Sequence, residues 1–169
     1  MTTIQVQGLS TSDFNKIKEG VIRYFSEIYS EETFVTYLDP RGLLARVPKK
    51  MGRTKNHQLI RPVTLEEVKS ALDEMEDDKS PGPNGFTTCF LKVCWDIIKR
   101  DLHRIIMKSR YCDKIGVNTN YAFLASLPKE KVATTFNRFH PISLCSIGYK
   151  VITKIMANRL RGHMPTIIP

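Results

Sequence analysis

Residues 123–160 read FLASLPKEKVATTFNRFHPISLCSIGYKVITKIMANRL, and the parsing of this stretch decides the fold. It opens with an apolar run through Leu127 and passes through a polar loop bearing Lys129 and Lys131. A second short run around Pro141 follows, and then a helical pattern. There Tyr149, Ile152, Ile155, Met156 and Leu160 recur at three- and four-residue steps, which predicts one buried face on a helix over 146–161. Lys150, Lys154, Arg159 and Arg161 fall between them, giving a packed scaffold with a cationic surface. Such a surface is commonly just solvated, so the helix alone specifies no chemistry.

Working outward, Tyr121–Leu127 is rich enough in apolar residues to predict a strand sandwiched between helices and sheet, after a turn at 116–120. Before it, Phe90, Cys94, Ile97, Leu102, Ile105 and Ile106 predict the apolar side of one helix over 87–109, with Trp95 as a core residue near its edge. Ser80-Pro81-Gly82-Pro83-Asn84-Gly85 must be a rigid turn, because its prolines fix φ and its glycines permit positive φ. Thr64-x-x-Glu67 is a capping box opening a helix whose buried stripe is Leu65, Val68, Leu72 and Met75. Glu74, Glu76, Asp77 and Asp78 crowd its C-terminal end without an evident orienting partner. Residues 31–62 lack periodicity and are punctuated by prolines and glycines, so they read as linker, with Arg46, Lys49, Lys50, Arg53 and Lys55 either solvated or on a nucleic-acid backbone. A helix over 13–30, capped by Ser12, buries Phe14, Ile17, Val21, Phe25 and Ile28; residues 1–12 read as a frayed end.

The chain has 169 residues and a net charge of +9, so an anionic partner or surface is favoured. The charge is segregated. Residues 39–61 and 129–163 each carry seven Lys/Arg against a single acid, and residues 62–78 carry seven Asp/Glu against Lys69. The basic segments either line a polyphosphate groove or neutralise the acidic helix within the fold. Cys89, Cys94, Cys112 and Cys145 show no zinc spacing, which favours free thiols in an intracellular, reducing setting; nucleus and cytoplasm are not distinguished. No apolar run is long enough to span a membrane, and the N-terminus does not read as a signal peptide.

Four pieces of the sequence carry a resemblance. They are Lys79-Ser80-Pro81-Gly82-Pro83-Asn84-Gly85-Phe86, Leu127-Pro128-Lys129, Phe139-His140-Pro141-Ile142-Ser143-Leu144-Cys145, and Tyr149-Lys150 through Ala157-Asn158-Arg159-Leu160. In this order they resemble the first conserved blocks of the reverse transcriptases of non-LTR, LINE-like retrotransposons of the plant type, over roughly residues 60 to 169. The resemblance implies an α+β, mostly helical fold: a partial fingers subdomain of a right-hand polymerase, with a few short strands and an incomplete palm. It divides the chain into a helical N-terminal region with a basic linker, 1–62, and a partial reverse-transcriptase domain, 63–169. The residues it implies to face nucleotide and template are Lys129, Lys131, Arg138, His140, Lys79 and Asn84.

Three of these depart from the family pattern. His140 stands where the family has a triphosphate-binding arginine, and imidazole neither reaches as far nor holds two phosphate oxygens. Arg138 stands where the family has an acid; two residues away on a strand it shares a face with His140 and offers part of the lost charge. A guanidinium displaced by about 6–7 Å still meets the same phosphate poorly, so the site reads as decayed rather than retuned. Asn84 replaces an aspartate but keeps its turn-forming acceptor.

Phosphodiester synthesis needs paired metals held by carboxylates, magnesium in the complete family enzyme. The resemblance places those carboxylates beyond the last block, so no catalytic residue, metal ligand or cofactor is expected in this stretch, whose end reads as a cut. The expected function is that of a fragment of an RNA-directed DNA polymerase, inactive alone. The alternatives are a non-catalytic basic nucleic-acid-binding module and a retroelement relic. Expected partners are an RNA or DNA template–primer, held weakly through its backbone, and further copies of the chain, because helix 146–161 has few evident partners. Nucleoside triphosphate is not expected to bind this stretch alone.

Overall fold

The computed structural model describes residues 3–6, 8–30 and 51–167. The fold is mixed α+β, mostly helical with a few short strands. It comprises two compact units: Met1–Arg46 with Leu124–Ile142, and Val47–Phe123 with Ser143–Pro169.

The first unit begins with an antiparallel pair, β1 (Ile4–Val6) and β2 (Leu9–Thr11), in register Ile4↔Thr11. These residues were expected to fray. Gly8, at φ 81°, instead supplies the left-handed turn that lets Val6 pair with Leu9. The helix α1 (Phe14–Tyr29) is capped by Asp13 rather than Ser12, its carboxylate accepting from the amides of Asn15 at 2.8 Å and Lys16 at 3.3 Å. Its packed side is Ile17, Gly20, Val21, Tyr24 and Phe25, while Phe14 and Ile28, expected inside, are exposed.

The hairpin β3 (Ala122–Pro128) and β4 (Phe139–Cys145) forms a two-stranded sheet, and the connection 129–138 is too short for a parallel crossover. It is not the sandwiched element the sequence predicts: Phe123 is 59% and Leu127 51% exposed. The connection is nevertheless anchored. Phe136 sits over Gly20, where a β-carbon would lie 2.9 Å from the ring, and Tyr24 packs beside it at 5.6 Å between centroids. The Gln5 amide donates to the Thr134 carbonyl at 2.7 Å. Residue Ala133 is buried.

The second unit holds α2 (Arg53–Ile60), α3 (Leu65–Asp73), α4 (Thr88–Val93), α5 (Trp95–Tyr111), α6 (Ile147–Arg161) and a short helix at Met164–Ile167. Its core gathers Val63, Val68, Ala71, Leu72, Leu91, Leu102, Ile106, Ile147, Val151, Ile152 and Ile155. Residues 53–60, read as linker, are therefore helical; 31–50 lie outside the described residues. The capping box works as expected on one side, the Thr64 hydroxyl accepting from the Glu67 amide at 3.2 Å. Leu65 is exposed, and Ala71 takes its place in the buried stripe.

The expected single helix over 87–109 is broken at Cys94, which ends α4 and starts α5 with ψ 15°. The break shifts the helical phase. Leu91, Leu102 and Ile106 point inward, whereas Phe90, Ile97 and Ile105 stay exposed, Ile97 at 81%. Trp95 packs partly buried against the core, as expected of it.

Helix α6 corrects the sequence reading most. It is not short of partners but central, packed against α2, α3 and α5. Ile147, Val151, Ile152 and Ile155 are all buried, each contributing roughly 2 kcal/mol of apolar burial. Among the described residues no other helix supplies as many buried side chains to this core, so α6 is the element it can least lose. Only Met156 and Leu160 of the predicted stripe lie outside, because the true buried phase runs through Ile147 and Val151.

Candidate nucleic-acid interface

Four of the six sequence-predicted site residues fall within or beside the connection of the β3–β4 hairpin. The Lys129 amide donates to the Arg138 carbonyl at 2.9 Å, closing the loop, and the Lys129 ammonium donates to the Asn137 carbonyl at 2.9 Å. Arg138 does not share a strand face with His140. It ends a 3-10 turn, Phe136–Arg138, that precedes β4, and its guanidinium lies 3.7 Å from Glu130. That turn is forced by Phe136 reaching into the apolar seat at Gly20 while the Arg138 amide bonds the Thr135 carbonyl. Lys131 and His140 are exposed, so this loop presents cationic and imidazole groups to solvent on an anchored backbone.

The remaining two lie in the second unit. Lys79 pairs with Glu76 at 2.7 Å, which raises the lysine pKa and lowers that of the glutamate. Asn84 is exposed in the turn closed by the Gly85 amide on the Gly82 carbonyl at 2.9 Å, with Gly85 at φ 72°. Sequence reasoning missed what Gly82 does. A β-carbon there would lie 2.2 Å from the Cys145 carbonyl oxygen and 2.7 Å from the Ser146 nitrogen. The Pro-Gly-Pro loop thus lies directly on the backbone where β4 passes into α6. Lys150 reaches back to the Ser80 carbonyl at 2.9 Å, and Ser146 both caps α6 and donates to the Thr119 carbonyl at 2.6 Å. The signal was present: a glycine between two prolines needs its missing side chain as much as its φ freedom.

Three cations of α6, Lys150, Lys154 and Arg159, turn inward, while Arg161 is exposed. Arg159 makes two bonds to Glu67, at 2.6 and 2.8 Å, and donates to the carbonyls of Leu59, Arg61 and Pro62. Hydrogen bonding from Arg159 is the main reason the Glu67 carboxyl is held below its ordinary range; the nearby Arg61, 3.5 Å away, adds to it. Lys154 at 3.0 Å and the Asn158 amide at 3.2 Å hold Glu74, whose pKa is lowered likewise, chiefly by Lys154. The Ala157-Asn158-Arg159-Leu160 block is accordingly a clamp on α3, with Arg159 at its first turn and Asn158 at its end. The acidic cluster has the orienting partners the sequence did not reveal, since Asp77 is also held by Lys92 at 2.7 Å and Asp73 by Lys69. Of the two readings of the segregated charge, neutralisation within the fold describes α3 and α6.

Among the described residues no group of three or more His, Cys, Asp or Glu side chains gathers as metal ligands would. An open groove of about 750 Å³ runs between α3 and the start of α5, lined by Glu66, Asp73 and Glu74 with Lys69, Lys99 and Trp95. Its acids give it the wrong sign for a polyphosphate. Among the described residues no helix is long and apolar enough to cross a membrane.

No protein-family model matches the chain. Over 118 residues, 70% of its length, it is 31% identical to the transposon TX1 uncharacterized 149 kDa protein of Xenopus laevis. The chain is thus related in part to a transposon protein. The match spans 9% of that protein's length.

Proposed function

We propose that the chain is the fingers-side portion of a retroelement reverse transcriptase, which holds template and primer through their phosphate backbone while carboxylates outside these residues carry the metals and the chemistry. The observation that carries this reading is the seating of Gly82 on the Cys145–Ser146 backbone. Two sequence blocks that resemble the family, some sixty residues apart, meet there as one interlocked element; Lys150 fastens α6 to the same loop, and Arg159 fastens the far end of α6 to α3. Partial kinship with a transposon protein agrees with it. In this reading the anchored loop bearing Lys129, Lys131, Arg138 and His140 faces the nucleic acid and the incoming nucleotide.

The test is a chimaera in which this chain replaces the corresponding region of an active related polymerase. The chimaera is expected to extend a primer on RNA, and His140→Arg to raise its efficiency mainly at low nucleotide concentration, by restoring a bidentate, always-charged contact. The chain by itself is expected to extend nothing with magnesium or manganese. A chimaera that binds primer–template yet stays inactive with either residue at 140, or extension by the chain alone above a heat-killed control, would count against the reading.

A further inference from the structure

Among the described residues, α5 carries a cationic surface that the packing of the second unit does not use. The inner side of this helix is spent on the core through Leu102 and Ile106. On the outer side Arg100, Arg104 and Lys108 follow one another at four-residue steps, all exposed. At about 100° per residue, Tyr111 falls in azimuth between Arg100 and Arg104, on the same stripe. Tyr111 is 72% exposed, and the Arg110 guanidinium lies over its ring, 5.8 Å from the centroid. A tyrosine so far out of the core contributes little to folding, and a cation over its face keeps the ring presented rather than folded away. Arg104 does pair with Asp101 at 3.1 Å, but both side chains are more than 70% exposed, and such pairs exchange readily with water and with other anions.

We propose that this outer stripe of α5 is a binding surface for single-stranded nucleic acid, with Arg100, Arg104 and Lys108 on the phosphates and Tyr111 stacking on a base. The spacing suits the ligand. Successive cations rise about 6 Å along the helix. A stacked strand offers a phosphate about every 3.4 Å, so each cation meets roughly every second one. Cations interleaved with an exposed aromatic are what sequence-tolerant single-strand binding requires, because every base has a face to stack. An anionic membrane surface is the competing ligand for a basic helix. It needs a broad apolar face to insert, whereas α5 commits Leu102 and Ile106 to the core and leaves Ile97, on the stripe, and Ile105, to one side of it, exposed among cations. This surface is distinct from the hairpin loop and involves none of its residues.

Fluorescence anisotropy of the full chain with a fluorescein-labelled oligouridine 20-mer, titrated at several salt concentrations, tests the proposal. The triple variant Arg100→Gln, Arg104→Gln, Lys108→Gln is expected to flatten the dependence of log affinity on log salt by about two, near 0.7 for each lost phosphate contact. Tyr111→Ala is expected to weaken binding roughly tenfold with the salt dependence unchanged, and Tyr111→Phe to bind like the wild type. All four side chains are exposed, and circular dichroism of each variant verifies the fold. The proposal is overturned if the triple and Tyr111→Ala variants bind as the wild type does, if Tyr111→Phe is as weak as Tyr111→Ala, or if the wild type does not bind the oligonucleotide at 50 mM salt. Sedimentation with phosphatidylserine vesicles that depends on the three cations, without oligonucleotide binding, would assign the stripe to a membrane and overturn it equally.

Discussion

On α6, Lys150 ends on the Ser80 carbonyl, Lys154 on the Glu74 carboxylate and Arg159 on that of Glu67. In the hairpin loop, Lys131 and His140 end in solvent, and Arg138 has only the distant Glu130. Both segments belong to one basic stretch of sequence, yet one is structural cement and the other an open surface. What separates them is the position of acids in space. Glu67 and Glu74 lie two helical turns apart on one face of α3, against which α6 packs. The loop carries a single acid of its own. Charge counted along a chain therefore measures its capacity for anions without saying whether the anion is a phosphate or the protein itself.

The comparison breaks most visibly at Arg159. Arg159→Ala leaves Glu67 with only Arg61 beside it and uncovers three carbonyls, and is expected to cost about 4 kcal/mol, read as a lower urea midpoint. The cost should also depend on pH. Arg159 lowers the folded pKa of Glu67 below its unfolded value, so this stabilisation is complete above the ordinary glutamate range and lost as pH falls through the lowered folded value. Wild type and variant should draw closer in acid, keeping the part of the cost that comes from the uncovered carbonyls. A cost under 1 kcal/mol, or one that is flat with pH, would make Arg159 another solvated cation.

Gly82→Ala comes next, at about 3 kcal/mol, because the added carbon meets backbone that cannot rotate away. Gly85→Ala should cost less, about 1–2 kcal/mol, although Gly85 has the positive φ, since nothing lies within 4 Å of its missing side chain. Thermal melts of the two variants decide the order; the reverse order would mean that the loop is not seated on α6.

The smallest effect on stability is expected in the loop. Lys129→Gln with Lys131→Gln should change unfolding by under about 0.5 kcal/mol for each exposed residue, while flattening the salt dependence of nucleic-acid binding by about one to two. A large stability loss with unaltered binding would place this loop beside α6 as cement.

Much of the helical framework was legible. Thr64 and Glu67 marked the start of α3, and the period of α6 predicted its bounds within a residue. What failed were statements about partners and phase. The stripe of α6 was right at Ile152 and Ile155 and wrong at its C-terminal end, because Ile147 and Val151 looked no different from Met156 and Leu160 without α3 in view. The break at Cys94 has no proline or glycine to announce it. The β1–β2 hairpin is three residues a side, too short for alternation to stand out. At the candidate interface the loop's cations were legible, but the 3-10 turn that parts Arg138 from His140 is imposed by Phe136 and Gly20, more than a hundred residues apart.

That dependence on distant sequence sets an order of assembly. Arg159 closes on Glu67 across 92 residues and on Leu59 across 100, and Val68, Ala71 and Leu72 share their core with residues of α6. During synthesis the helices from α2 through α5 therefore leave the ribosome with their apolar sides unfinished. The core closes only when residues 147–161 follow, and the entropy of so wide a loop closure makes that last step slow. Until then the nascent second unit exposes apolar surface that is prone to associate, and the clamp forms only with the segment that covers it.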